Sequence, residues 1–200
     1  MTTIRPITLY RVDDPRLAEI AASLAGEPVT GVGYLVPAGV EWVPDAAGGH
    51  DVHDVGLGVE LVLGSGHVLA LEWATPGTEE GLRIGVHKAG RDNDLVDRVD
   101  VGDDPHWSPI IGRRLETLAV AFFHPDDDSS TRPWAFRVGV AGGSCVTVAL
   151  GETDGPAIRY QPDNLVVIFD EATARSYRIV GARQPAWGSA IGPPAGPPAR

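Results

Sequence analysis

Lysine is nearly absent from this chain of 200 residues: Lys88 stands alone beside fifteen arginines, and from Leu17 to Leu82 neither cation occurs. Over that stretch Glu19, Glu27, Glu41, Asp45, Asp51, Asp54, Glu60, Glu72, Glu79 and Glu80 supply ten negative charges, so nearly all of the net −11 lies in the first half. Phosphates would meet a field of their own sign there, which excludes bare nucleic acid and an anionic membrane surface as partners. The arginine bias is also that of a GC-rich coding sequence, and acidity of that origin needs no partner. Net charge bears on solubility and association and leaves the fold open.

Cysteine is almost missing too. Cys145 alone rules out an internal disulfide and a multi-cysteine zinc site, and its place just after a turn between strands suits a small apolar residue. No apolar run approaches the roughly 20 residues of a membrane-spanning helix. Met1-Thr-Thr-Ile-Arg5 also lacks the basic-then-apolar layout of a secretory signal, so a cytoplasmic location is expected.

What is present is a hairpin written twice. Val59-Glu-Leu-Val-Leu-Gly-Ser-Gly-His-Val-Leu-Ala-Leu-Glu-Trp73 lies without a gap over Phe136-Arg-Val-Gly-Val-Ala-Gly-Gly-Ser-Cys-Val-Thr-Val-Ala-Leu150, an offset of 77 residues. Alternate positions are apolar in both copies, the period of a strand with one face in a core, and the glycine-rich turn falls at the same place. Upstream, Leu24-Ala-Gly26 precedes Val29 and Val32 as Ile110-Ile-Gly112 precedes Leu115 and Leu118. The chain therefore reads as mainly β (α+β): two similar antiparallel lobes from an internal duplication, each preceded by a short helix or helical turn.

The remaining punctuation fits this scheme. Asp14-Pro15 is a helix start, Leu17, Ile20 and Leu24 form one apolar stripe, and Gly26 is the stop. Further strands are expected at 29–36, 82–88, 95–101, 115–123 and 165–169, with a long Gly/Pro/Asp loop at 37–53 and a helical turn at 171–176. The expected division is an acidic first lobe over residues 1–101, a second lobe over 102–184 and a disordered Pro/Gly tail over 185–200.

No residue emerges as catalytic and no cofactor is expected. Gly142-Gly143-Ser144-Cys145 matches the turn Ser65-Gly66-His67 of the first hairpin, so its glycines serve positive φ and not a nucleophile. His50-Asp51-Val52-His53-Asp54 is a weak metal candidate through His50 and His53, since two imidazoles and two carboxylates lie close but without the spacing of a closed site. Glu60 and Glu72 fall diagonally on the outer face of the first hairpin. Paired carboxylates can serve a glycosidase, but the second hairpin has Arg137 and Ala149 there, and exposed charge on a wet sheet face is the ordinary expectation.

The repeated helix, Gly-ended apolar step and antiparallel hairpin resemble the small immunity-type proteins encoded beside toxins in actinobacteria and other bacteria. The resemblance rests on Leu24-Ala-Gly26, Ile110-Ile-Gly112 and the two hairpins, and spans residues 14 to 180. It implies a protein that occludes a toxin without catalysis of its own. The first expectation is therefore a non-enzymatic, protein-binding chain whose acidic lobe docks on a basic toxin. Tyr34 and Trp42 would be its anchors, and Glu41, Asp45, Asp51, Asp54, Glu79 and Glu80 its charged face. Two alternatives stand beside it: a small enzyme or ligand-binding protein with a site between the lobes, near Glu79, Glu80, His106 and Trp107, and a structural subunit of a larger assembly.

Overall fold

The computed structural model describes residues 4–8, 14–43, 51–75, 81–90, 94–123, 132–155 and 157–177. The chain begins with β1 (Ile4–Thr8), α1 (Pro15–Leu24), β2 (Val29–Pro37) and β3 (Val52–Asp54). Four strands follow, β4 (Gly58–Leu63), β5 (His67–Ala74), β6 (Gly81–Lys88) and β7 (Val96–Asp100), and then a 3-10 turn at Pro105–Trp107. The second half holds β8 (Leu115–Phe123), β9 (Arg132–Val140), β10 (Cys145–Leu150), β11 (Glu152–Asp154), β12 (Ala157–Arg159), β13 (Leu165–Ile168) and α2 (Glu171–Ser176). The fold is mainly β with antiparallel pairing throughout. No helix among the described residues is long and apolar enough to cross a membrane.

Helix α1 forms where the cap signals lie. The Asp14 carboxylate accepts from the Arg16 amide at 3.0 Å, Pro15 opens the first turn, and Leu17, Ile20, Ala21 and Leu24 are buried along one side. Gly26, at φ +78°, ends it.

The duplication is present in the hydrogen bonding. Val59 pairs with Leu71 and Leu61 with Leu69; 77 residues on, Phe136 pairs with Val148 and Val138 with Val146. The sheets share an order as well, β1-β6-β5-β4-β2-β7 for the first and β3-β13-β10-β9-β8 for the second. The equivalent strands β2 and β8, offset by 86 residues, meet end to end and exchange bonds reciprocally. Gly26 N donates to Leu115 O and Gly112 N to Val29 O; Val29 N donates to Arg113 O and Leu115 N to Glu27 O, all at 2.7–2.9 Å. Pro28 faces Arg114 at the centre of this exchange, a local pseudo-twofold.

Two features depart from the sequence reading. Strand β3 begins inside the expected 37–53 loop, runs one residue past its end and pairs with β13, so part of the first half completes the second sheet and residue 101 does not cleanly divide the two. The small hairpin of β11 and β12 was not foreseen. Residues 185–200, read as a tail, lie outside the described residues.

Inward residues of both sheets form one contiguous core, with Tyr34, Leu61, Leu71, Ile84, Trp107, Phe136 and Val148 all at most 1% exposed. The outer faces differ. On the second sheet α2 packs against β10 and β13, and Glu171 bonds Arg137 at 2.6 Å across that face. The outer face of the first sheet carries a groove instead.

Candidate ligand groove on the first sheet

The groove has a volume of about 870 Å³ and is lined by strands of the first sheet and their connections, with no helical residue among them. That size falls within the range of small-molecule sites, about 300 to 1,000 Å³. Leu35, Leu57, Val62, Val68 and Trp73 make its apolar walls, and Glu60, Glu72, Arg83 and Arg98 its polar floor. Glu60 is 4% exposed and Glu72 2%, a correction to the wet-face expectation. Buried carboxylates need partners. Arg83 Nε donates to Glu72 Oε2 at 2.5 Å and Arg98 Nε to Glu60 Oε2 at 3.1 Å.

Small residues on this face make the arrangement possible. Gly33 sits opposite Glu60 in the β2–β4 register, and a Cβ there would come within 2.4 Å of the Arg98 guanidinium carbon. The guanidinium therefore lies directly over the β2 backbone on its way to Glu60. A Cβ at Gly58 would meet Cγ of Glu72 at 3.1 Å, so that glycine leaves room for the second carboxylate.

His87, opposite the groove residue Val68 in the β5–β6 register, stands beside Glu60. Its Nδ1 lies 2.8 Å from Lys88 O, and because a carbonyl can only accept, Nδ1 carries the proton and Nε2 the lone pair. Nε2 is buried, makes no hydrogen bond, and faces Glu60 Oε1 at 3.6 Å.

A second polar cluster runs outward from the core, from Tyr34 on β2 and His53 on β3 to the half-buried Asp104 and His106. Trp107 Nε1 donates to the Tyr34 hydroxyl at 2.9 Å, and that hydroxyl lies 2.7 Å from His53 Nδ1. An indole N–H only donates, so all three groups are satisfied when the Tyr34 hydroxyl donates onward to Nδ1 and His53 carries its proton on Nε2. That Nε2 points toward Asp104 at 3.9 Å, and Asp104 Oδ1 lies 2.9 Å from His106 Nδ1. Burial pushes the His53 pKa down, Asp104 opposes it and His106 adds to it. Burial alone would raise Asp104, but the hydrogen bonds from His106 and the two imidazoles hold it below the ordinary carboxylate value. His53, Asp104 and His106 do bring possible ligand atoms within 4.8 Å of one another. The proton on His53 Nε2, however, occupies the position where a metal ligand needs a lone pair.

Compared with family models, curated proteins and solved structures, the chain matches none. Its chemistry is therefore read from its own residues.

Those of the nominated partner-binding residues that are described are not gathered on one surface. Tyr34 is wholly buried, a correction to its role as a surface anchor, because it shares the inward face of β2 with Val32 and is tied to His53 and Trp107. Trp42 is half-buried, packs edge-on to Tyr34 at 4.8 Å, and donates to Asp54 O at 2.6 Å, which makes it a plug over the core. Asp54 is half-buried and accepts from the Thr153 amide at 3.1 Å, while Glu41 and Asp51 are exposed. Asp45, His50, Glu79 and Glu80 lie outside the described residues. Of the residues named for a site between the lobes, Trp107 is 0% exposed and part of the core, whereas His106 is half-buried and lines a small cavity of about 230 Å³ with Ile110, Cys145 and Phe169. Sequence reasoning did place Glu60 and Glu72 diagonally, but it passed over His87, Arg83 and Arg98. The signal was there: Arg83 and His87 share the period-2 phase of β6, on the side facing away from Leu82, Ile84 and Val86.

Proposed function

We propose that the chain is a ligand-binding protein whose site is the groove on the outer face of the first sheet. The observation that carries this reading is the pair of carboxylates sunk to 4% and 2% exposure on a sheet face that no helix among the described residues closes, whereas α2 closes the equivalent face of the second sheet. Holding two such groups out of water is costly for a merely structural surface, and sites of this kind combine apolar walls with a few convergent polar groups. The ligand is a small molecule with a hydrogen-bonding centre and apolar flanks. A fragment screen read by amide NMR tests this: binders should shift Gly33, Val62 and Ala70, and Val62→Trp, which fills the groove, should abolish those shifts. Binders that map only to other surfaces would overturn the proposal.

Protein docking is a second reading, favoured by a separate observation. The exposed large apolar residues among those described are Val40, Val43 and Leu95, at 51%, 66% and 78%. The bond from Ala38 N to Leu95 O, 3.1 Å, brings their two segments together, with Glu41 beside them. An apolar tip beside acidic side chains suits a basic protein partner, the role the immunity-type resemblance implies.

A further inference from the structure

We propose that Glu60, Glu72 and His87 bind a divalent transition-metal ion on the floor of the groove, an inference that rests on the groove being the functional site. One ligand atom from each of the three lies within 4.8 Å of the others. A metal with N and O ligands at about 2.0–2.2 Å holds them about 3 to 3.5 Å apart, so side-chain movement of about an ångström closes the set.

The histidine is prepared for this role. Ligating imidazoles usually donate their second N–H to a carbonyl or carboxylate, which fixes the tautomer and aims the lone pair at the metal. His87 does this through Nδ1 and Lys88 O. Its Nε2 lone pair then faces Glu60 Oε1 at 3.6 Å with no donor bonded to it. Two acceptors face to face in a buried place repel unless a positive charge lies between them. A divalent cation supplies that charge, and a proton on Nε2 is the competitor to be tested.

The surroundings suit the ion. Arg98 holds Oε2 of Glu60 and so leaves Oε1, the oxygen facing His87, to the metal; Arg83 likewise orients Glu72. Ligating carboxylates are themselves usually held by hydrogen bonds from an outer shell, the place Arg83 and Arg98 take here. One imidazole and two carboxylates make three protein ligands, with the groove open over the two carboxylates, the pattern of a centre that keeps positions for water or substrate. Zinc, iron(II) and manganese(II) accept this set, whereas calcium asks for six to eight oxygens. The second sheet carries Arg137 and Ala149 in place of the two glutamates, so one ion per chain is expected from this pattern.

The test uses the untagged full chain, stripped with a chelator and titrated with Zn²⁺, Mn²⁺ and Ca²⁺ by calorimetry. One Zn²⁺ or Mn²⁺ should bind per chain, with affinity reduced at least tenfold in His87→Ala and Glu60→Gln, unchanged in His106→Ala, and with no comparable Ca²⁺ binding. Imidazole ¹⁵N shifts of the unmodified protein give an answer independent of any variant, since Zn²⁺ should move Nε2 of His87. Absence of binding, binding undiminished in a folded His87→Ala chain, or a His87 that responds to pH but not to metal would each overturn the proposal. Fragment binding in the groove of the metal-free protein would then leave the ligand-binding reading standing, and metal uptake without fragment binding would do the reverse.

Discussion

The hydroxyl of Tyr34 lies 2.7 Å from Nδ1 of His53, within the core where the two sheets meet. It is also the acceptor for the buried Trp107 indole, so Tyr34→Phe removes one oxygen and strands two partners. Leaving buried polar groups unpaired costs about 1–3 kcal/mol. Urea denaturation of Tyr34→Phe should show a loss of that size. The same change made in a Trp107→Phe background should cost clearly less, because the indole N–H is no longer there to be orphaned; equal losses would break the proposed chain of hydrogen bonds.

His53 gives the fold a pH dependence whose sign follows from its burial. Its pKa is lowered from the ordinary 6.5, so below that value the unfolded chain binds a proton that the folded chain refuses. Stability from this group is complete above pH 6.5 and is lost as pH falls toward the folded pKa. Urea midpoints should therefore drop between about pH 7.5 and pH 5.5, and His53→Gln should flatten that part of the profile. A slope unchanged in the variant would assign the effect to other groups.

Gly66 and Gly143 occupy equivalent turns, at φ +77° and +87°, and a Cβ at either would meet nothing within 4 Å. Substitution there has no packing term, only the backbone cost of a left-handed conformation, about 1–2 kcal/mol. Gly66→Ala and Gly143→Ala should thus destabilise by the same amount. Losses differing by more than about 1 kcal/mol would show that the two hairpins are alike in outline only.

The hairpins were legible because strand alternation and turn glycines are local, and copying them doubled the signal. Strand β3 was not: Val52, His53 and Asp54 pair with Val166 to Ile168, more than a hundred residues away, and three residues carry no period of their own. The core role of Tyr34 was hidden for a related reason, since its partners His53 and Trp107 come from two other segments of the chain. Glu60 and Glu72 were found by alternation, but alternation tells which face a residue occupies and not whether that face is wet. Arg98 of β7 and Arg83 of β6 cover them from strands on either side, and that closure belongs to the sheet as a whole.

The exposed tip at Val40, Val43 and Leu95 separates stability from association. Leu95 is 78% exposed, so Leu95→Ser removes little buried surface and should leave the melting temperature unchanged within error. If the tip docks a basic protein, Leu95→Ser combined with Val43→Ser should raise the dissociation rate of a partner isolated from the native host, because desolvated apolar contacts act mainly there. Glu41→Lys with Asp51→Lys should act on the other rate. Both side chains are exposed, and reversing them should slow association at 0.05 M salt and much less at 1 M, where the Debye length is about 3 Å. An association rate that ignores both the reversals and the salt would assign the acidity of this region to composition and leave the groove as the seat of function.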